Sequence, residues 1–190
     1  MDLIQTILLA LIQGLTEFIP VSSSGHLALL PQILGWREQS TSFDIVLHGG
    51  TLLALIIFFW PKIKTIAQGV QKRDIVQINL VKVIGIGALP AIVVGGMIEG
   101  INLISEDRID NFLKNPYSII FFMILMGIVL IFCDFVYKNN VLDIERLKTK
   151  NILIIGFMQC LALIRGVSRS GITIFAGLTQ GMRREDAAEY

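Results

Sequence analysis

Three long apolar segments, each able to cross a lipid bilayer as a helix, constrain this chain more than any other feature. They run over residues 43–60, 79–98 and 117–137. A bilayer core needs about 20 mainly apolar residues in helical form. Aromatic residues stand at several of the segment ends, where the membrane interface favours them. The sequence therefore predicts an all-α, polytopic integral membrane protein.

The composition agrees with this prediction. Of the 190 residues, 54% are hydrophobic and 16% are charged, whereas about 25% of a soluble domain is charged. One small core cannot hide apolar runs of this length, and a disordered chain is polar and charge-rich. The net charge of +1 gives no reason to expect a nucleic-acid partner.

The basic residues between the apolar segments predict an orientation. Segments 61–78 and 138–150 each carry four lysines or arginines, whereas segment 99–116 mixes two basic residues with four acidic ones. Basic loops remain on the cytoplasmic side of a membrane. We therefore expect the first two segments in the cytoplasm, and segments 99–116 and 36–42 outside.

Two further apolar regions are too short or too polar to be ordinary spans, because each runs into a Gly/Ser-rich turn. Irregular backbone at membrane depth persists only when it is buried in protein or lines a wet cavity. We therefore predict two re-entrant helical hairpins, of which the first covers residues 3–35. Their predicted helix, turn and helix are 3–19, 20–26 and 27–34 in the first, and 151–164, 165–171 and 172–180 in the second.

The two hairpins align without gaps, which predicts an internal repeat. The charge pattern makes them enter from opposite faces, and inverted repeats of this kind place a site between broken helices near the midplane. The alternative is chance recurrence of small polar residues in turns. We expect one membrane domain over 1–190, with a first repeat over 1–137 and the start of a second repeat over 151–190. The spans that would complete the second repeat are missing, which predicts that the chain is a fragment. The identical pairs are Gln13/Gln159, Leu15/Leu161, Val21/Val167, Ser22/Ser168, Ser24/Ser170, Gly25/Gly171 and Gly35/Gly181.

Polar residues concentrate in these hairpins, although ionisable groups inside a membrane are costly and usually functional. A Ser/Gly run before a helix offers N–H groups and hydroxyls to an anion. Arginine adds a fork suited to phosphate, a carboxylate holds a divalent cation, and histidine serves as base, acid or nucleophile. Together they predict phosphoryl transfer. The residues are Gln13, Glu17, Ser22, Ser23, Ser24, Gly25 and His26 in the first hairpin, and Ser168, Arg169, Ser170, Gly171 and Thr173 in the second.

Each residue type also has a purely structural explanation. Glu17 and Arg169 would then lie at the membrane interface, and His26 would be a hydrogen-bonded structural histidine. The serines would cap the following helices. His48, followed by Gly49 and Gly50 inside the 43–60 segment, stays open between helix packing and function.

Residues 13–26 resemble the first signature of the undecaprenyl-diphosphate phosphatase family, also called the bacitracin resistance family. Residues 165–171 resemble its second signature, Pro-Gly-x-Ser-Arg-Ser-Gly, and residues 43–51 are similar to its next span. The resemblance implies a bacterial inner-membrane enzyme that hydrolyses undecaprenyl diphosphate to undecaprenyl phosphate and phosphate, recycling the lipid carrier of cell-wall synthesis and conferring bacitracin resistance. It also implies a divalent cation, Mg²⁺ or Ca²⁺, and an active site that opens to the outer side of the membrane.

The resemblance also implies residue roles. Glu17 is expected near the cation and the diphosphate, with Gln13 at a position where the family has Glu or Gln. Ser23 becomes a candidate nucleophile and His26 a base or nucleophile. The remaining candidates are expected to bind phosphate: Ser22, Ser24, Gly25, Ser168, Arg169, Ser170, Gly171 and Thr173. Arg165 departs from the family's proline, which removes a helix-ending restraint and adds a cation.

Two other functions remain open from the sequence. Inverted repeats and broken helices are also typical of transporters, so a transporter or flippase of an anionic polyprenyl lipid is the alternative. The other is an inactive, truncated copy, because we expect weak or no activity without the missing spans. A homo-oligomer also remains open.

Overall fold

The fold comes from a computed structural model that describes residues 2–104, 115–144 and 147–190. These residues are almost entirely helical, apart from one isolated bridge between Leu142 and Met182. The all-α prediction is therefore confirmed for this part of the chain. The helices are α1 (Leu3–Phe18), α2 (Ser23–Ile33), α3 (Thr41–Phe58), α4 (Trp60–Gln71), α5 (Ile75–Ile104), α6 (Pro116–Val136), α7 (Thr149–Gln159), a short 3₁₀ helix (Cys160–Leu163), α8 (Arg169–Thr179) and α9 (Arg184–Glu189).

Three of these helices are long and apolar enough to cross a membrane: α3, residues Ile75–Ile101 of α5, and α6. They overlap the three predicted spans. Their outward faces carry large apolar side chains, and Val46, Phe58 and Phe135 are each more than 70% exposed. Side chains of this kind are compatible with lipid rather than water around the helices. The polytopic membrane fold is therefore confirmed at the level of its helices.

The predicted loop over 61–78 is wrong for most of its length, because α4 occupies Trp60–Gln71. Pro61 lies in the first turn of α4, where its missing N–H removes no helical hydrogen bond. Two of the four basic residues of the predicted loop, Lys62 and Lys64, therefore lie on a helix, whereas Lys72 and Arg73 follow the end of that helix. At the C-terminal end of α5, the predicted outer segment 99–116 begins as helix. Residues 105–114 of this segment lie outside the described part of the chain.

Both predicted hairpins are present as helix–turn–helix units, but their second helices begin three or four residues early. Ser22 and Ser168 are the N-cap residues, and their hydroxyls accept hydrogen bonds from the N–H groups of Gly25 and Gly171. Some of the residues expected to form the turns therefore lie in the first turns of α2 and α8, namely Ser23, Ser24, Gly25, Ser170 and Gly171, whereas Gly166 remains in its turn. The prediction erred because glycine and serine favour turns and helix N-termini alike.

The best-packed part of the molecule surrounds the second hairpin. Helix α7 packs on α5, and α8 packs on α6, α7 and α9. Helix α6 also contacts α2, so one membrane-crossing helix lies against both hairpins. The core residues here include Cys133, Ile155, Ala176, Leu178 and Met182, each at most 2% exposed.

Ion pairs attach the C-terminal helix α9 to its neighbours. Arg183 Nε lies 2.7 Å from Asp186 Oδ2, and Arg183 Nη2 lies 2.8 Å from Asp143 Oδ1. The hydrogen bond to Asp186, assisted by the charge of Asp143, holds the pKa of the Arg183 guanidinium above its usual range. Arg184 pairs with Asp134 of α6, so α9 is connected to the helix that contacts both hairpins.

Candidate active site

The turn between α1 and α2 carries an unusual backbone conformation. Ser22 is buried and adopts φ 64° and ψ 86°, in the left-handed region that L-residues seldom occupy. Its hydroxyl accepts a 3.3 Å hydrogen bond from the N–H of Gly25 and lies 3.4 Å from the Ser24 hydroxyl. Conformations of this kind persist where the surrounding structure holds them, often at functional sites.

The turn before α8 repeats these hydrogen bonds. The Ser168 hydroxyl accepts from the N–H of Gly171 at 3.1 Å and lies 3.1 Å from the Ser170 hydroxyl. Here the positive φ falls on Gly166, at 96°, and Ser168 itself is extended. The aligned serines thus share one capping geometry, while the inverted topology of the two hairpins stays a prediction.

Both turns approach α6 closely through a glycine. A Cβ atom at Gly25 would lie 2.6 Å from Sδ of Met123, and one at Gly171 would lie 3.2 Å from Cε of Met126. Real Cβ atoms essentially never approach another heavy atom to 2.6 Å. Gly25 and Gly171 are buried against methionines of one helix and allow the two turns to pack there; their predicted phosphate binding stays a prediction.

The two turns meet at one cavity of about 250 Å³. It brings together most of the residues that the sequence predicted for the site. Gln13, Gly25, His26, Gly171 and Thr173 are not among its described lining residues. The lining consists of Thr16, Glu17, Ser22, Ser23, Ser24, His48, Ala162, Leu163, Arg165, Val167, Ser168, Arg169 and Ser170.

Glu17 is the acceptor at the centre of the polar contacts. The Ser23 hydroxyl donates a 2.5 Å hydrogen bond to Glu17 Oε2, and Gln13 Nε2 donates to the same oxygen at 3.2 Å. His48 Nε2 lies 3.5 Å from it. A short hydrogen bond to an ionised acceptor is stronger than one between neutral groups, so Ser23 and Glu17 form the tightest polar pair of the cavity.

Gln13 is 1% exposed and connects α1 to α3. Its Nε2 also lies 3.3 Å from Thr51 Oγ1, and the Thr51 hydroxyl donates to the carbonyl of His48 at 2.9 Å. Because that hydroxyl proton is engaged, Thr51 is the acceptor from Gln13. Gln13 thus directs its amide nitrogen, and not its oxygen, at Glu17; its predicted role as a cation ligand stays a prediction.

The positive charges of the site come from two helix N-termini and two arginines. Helices α2 and α8 both begin at the cavity, and a helix N-terminus carries about half a positive charge. Arg169, the first residue of α8, lines the cavity together with Arg165. Against them stands the single carboxylate of Glu17. This arrangement suits an anion with several oxygens, such as a phosphate group.

A second cavity of about 310 Å³ shares Glu17, Arg169 and Ser170 with the first. Thr173 lines this second cavity, and its hydroxyl lies 3.0 Å from the carbonyl oxygens of both Arg169 and Ser170. Thr173 therefore lies beside the first cavity, and its predicted role in phosphate binding stays a prediction.

Of the two histidines, His48 lines the cavity and His26 does not, and the predicted role of His26 stays a prediction. His26 is half-buried, and its Nδ1 lies 2.9 Å from the carbonyl oxygen of Ser22. His48 lines the cavity beside Glu17. The sequence feature that indicates a functional His48 is its ionisable side chain inside a membrane-crossing segment. The adjacent glycines left this interpretation open, because they equally indicated helix packing.

The residues present fit a divalent cation only with help from a substrate. The described residues include no group of three or more His, Cys, Asp or Glu side chains able to hold a metal ion. Mg²⁺ is commonly held by one or two carboxylates together with substrate phosphates and water. Glu17 satisfies that requirement, and an all-protein cage is not found in this part of the chain.

Three membrane-capable helices, together with a charged cavity that lies between two helix–turn–helix units and is also lined by His48 of α3, define a helical integral membrane protein with a polar site. The chain belongs to the bacitracin resistance protein BacA family, which it matches over residues 6–190. An undecaprenyl-diphosphatase of Marinobacter nauticus is 39% identical over 100% of this chain and 71% of its own length. One of Geotalea daltonii is 41% identical over 100% and 70%, and undecaprenyl-diphosphatase 1 of Pseudoalteromonas translucida is 40% identical over 100% and 70%. The resemblance read from the two signatures is thereby confirmed.

Proposed function

We propose that the chain hydrolyses undecaprenyl diphosphate to undecaprenyl phosphate and phosphate, and so supports cell-wall synthesis and bacitracin resistance. The observation that carries this proposal is the Ser23–Glu17 hydrogen bond in a cavity that Arg169 and two helix N-termini make cationic. Nucleophile, base and anion-binding groups thus lie around one space. The relatives named undecaprenyl-diphosphatase support the substrate.

Ser23 is the proposed nucleophile. Its oxygen attacks the terminal phosphorus while Glu17 Oε2, at 2.5 Å, accepts its proton. The bond between that phosphorus and the bridging oxygen breaks, and undecaprenyl phosphate leaves with the bridging oxygen. Water then hydrolyses the phosphoserine, releasing phosphate and restoring the hydroxyl.

The remaining groups stabilise the charge of the transferring phosphoryl group. Its equatorial oxygens accept hydrogen bonds from the Arg169 guanidinium and from N–H groups at the starts of α2 and α8. Gln13 holds the Glu17 carboxylate in position through its amide nitrogen. A divalent cation, Mg²⁺ or Ca²⁺, when bound would neutralise diphosphate oxygens, and Glu17 would hold it.

The site is proposed to open to the outer face of a bacterial inner membrane. The lining residue His48 is seven positions from the start of α3 and ten from its end, so it lies about 10 Å from the start of the helix. The basic segments predict that this end faces outward. A lipid diphosphate in the outer leaflet would then reach the cavity with its headgroup while its polyprenyl tail stays in the bilayer.

The test is phosphate release from a polyprenyl diphosphate by the purified chain in detergent, with Glu17→Gln as the inactive comparison. Glu17→Gln keeps the side chain's size but removes the base, and we expect at least about 100-fold slower release. Equal rates would contradict the mechanism. Transbilayer movement of a labelled polyprenyl lipid without phosphate release would favour the transporter alternative, and neither activity would favour an inactive copy.

A further inference from the structure

The orientation of His48 defines which of its ring nitrogens carries a proton. Its Nδ1 lies 2.7 Å from the carbonyl oxygen of Asp44, one helical turn earlier. A carbonyl oxygen only accepts, so Nδ1 is the donor. In the neutral imidazole, Nε2 then bears a lone pair and no proton.

That lone pair faces a second acceptor. His48 Nε2 lies 3.5 Å from Glu17 Oε2, and an ionised carboxylate has acceptor sites only. Two acceptors at this separation repel unless a positively charged species lies between them. A histidine whose second nitrogen donates to a backbone carbonyl is also the usual arrangement of a metal-binding imidazole.

We propose that His48 Nε2 and the Glu17 carboxylate together bind the divalent cation, so that the site is a nitrogen–oxygen pair. Two adjacent ligands about 2.0–2.2 Å from one cation are about 2.8–3.1 Å apart in octahedral geometry and about 3.3–3.6 Å apart in tetrahedral geometry. The 3.5 Å between His48 Nε2 and Glu17 Oε2 lies in the tetrahedral range. Ser23 and Gln13 both donate to Glu17 Oε2 and use two of the roughly four acceptor sites of the carboxylate, which leaves the sites on its other oxygen, Oε1, for a cation. The inference rests on the proposed function only for the diphosphate oxygens that complete the coordination shell.

An imidazole ligand changes which metal the site prefers. Mg²⁺ and Ca²⁺ favour oxygen and imidazole suits Zn²⁺, while Mn²⁺ prefers oxygen but accepts an imidazole nitrogen beside oxygen ligands more readily than Ca²⁺ does. We therefore expect tighter binding of Mn²⁺ than of Ca²⁺. Replacing His48 with glutamine, which offers an oxygen, should weaken Mn²⁺ binding at least about tenfold and reduce that preference.

The direct test is pulsed electron paramagnetic resonance of Mn²⁺ bound to the purified, tag-free chain in the presence of methylenediphosphonate, a diphosphate analogue. A ¹⁴N coupling typical of directly bound imidazole is the expected result. The chain contains two histidines, His26 and His48, so single variants assign the signal. His48→Gln should abolish it, and His26→Gln should leave it unchanged.

Three results would overturn the proposal: a nitrogen signal that His26→Gln removes, Mn²⁺ bound without nitrogen coupling, or no Mn²⁺ bound. The second is expected if His48 is instead an imidazolium ion paired with Glu17. If His48→Gln does not fold, the signal of His26→Gln alone decides, since His48 is then the sole imidazole. Phosphate release measured on the same wild-type preparation separates this inference from the proposed function: release without nitrogen coupling rejects the ligand and keeps the enzyme.

Discussion

The Ser23 hydroxyl donates a hydrogen bond of 2.5 Å to Glu17 Oε2, although the two residues belong to different helices. Helix α1 ends one residue after Glu17, and α2 begins at Ser23. The four intervening residues, with Ser22 in a left-handed conformation, fold the chain back so that the hydroxyl meets the carboxylate. The pair therefore depends on the turn as much as on its own chemistry.

Ser23→Ala removes the proposed nucleophile and is expected to lower phosphate release at least about 1,000-fold, because losing a nucleophile removes the covalent step. Ser118→Ala is a suitable control, since the Ser118 hydroxyl bonds locally to the carbonyl of Asn115 at the start of α6. Phosphate release by both variants should be measured at matched protein amounts. A Ser23→Ala protein with more than a tenth of wild-type turnover would assign attack to another group.

Gln13→Leu should lower turnover about 10- to 100-fold with little change in KM, because Glu17 loses a hydrogen bond that orients it while the phosphate-binding groups remain. Thr51→Val removes only the outer hydrogen bond of Gln13 and should have a smaller effect. Steady-state kinetics of both variants show which substitution lowers turnover more. A larger loss for Thr51→Val would show that Gln13 does not act through Glu17.

Arg169→Lys is expected to lower turnover about 100-fold, nearly as much as Arg169→Ala. Lysine keeps the charge but lacks the planar fork that binds two phosphate oxygens at once, and removing one stabilising donor typically costs 100- to 1,000-fold. Arg37→Ala tests for a general loss of positive charge, because Arg37 is exposed and is not a lining residue of the site. Full activity of Arg169→Lys would show that Arg169 contributes only its positive charge and not a two-pronged hydrogen bond.

Gly25→Ala should destabilise the chain by about 1–3 kcal/mol, the usual cost of overpacking, because its Cβ would lie 2.6 Å from Met123 Sδ. A second substitution, Met123→Ala, removes the clashing atom and should recover part of that loss. Gly14→Ala is the matched control: nothing lies within 4 Å of its Cβ, and alanine favours the helix by about 0.5–1 kcal/mol. Unfolding temperatures in detergent compare the three; equal temperatures for both alanine variants would contradict the close packing.

Gly166→Ala and Gly181→Ala separate backbone strain from steric clash. Both glycines have positive φ, 96° and 88°, which costs an L-residue about 1–2 kcal/mol. Only at Gly166 would the Cβ meet backbone, 2.5 Å from the carbonyl oxygen of Ile119. Gly166→Ala should therefore be destabilised by more than about 3 kcal/mol and lose activity, while Gly181→Ala loses only the strain energy. Unfolding temperatures compare the two variants. Similar losses of stability would show that α6 moves away from the added Cβ at little energetic cost.

The sequence predicted the membrane-crossing helices well, because length and hydropathy decide whether a helix can cross a bilayer. It also predicted both helix–turn–helix units and the grouping of Glu17, Ser23 and Arg169, which line one cavity, since polar groups inside apolar segments are rare. It did not predict that α2 and α8 begin within the Ser/Gly runs, because capping and turn propensities coincide in those residues.

The directions in which the two histidine side chains point could not be predicted from the sequence. His26 follows the serine run directly, yet its Nδ1 contacts the Ser22 carbonyl, while His48 from a distant helix reaches Glu17. Both histidines lie four residues after the carbonyl that they contact, so local spacing did not distinguish them. The packing of α3 against α1 decides the outcome, and it depends on contacts between residues far apart in the chain.

Met123 and Met126 are three residues apart on α6, a rise of about 4.5 Å, and each touches one of the two glycine turns. The spacing between the two helix N-termini therefore depends on how both turns pack against a single membrane-capable helix. One inserted residue between these methionines would rotate one contact about 100° away from the other. A change in α6 that moves one methionine would therefore shift one turn relative to the other without altering either signature.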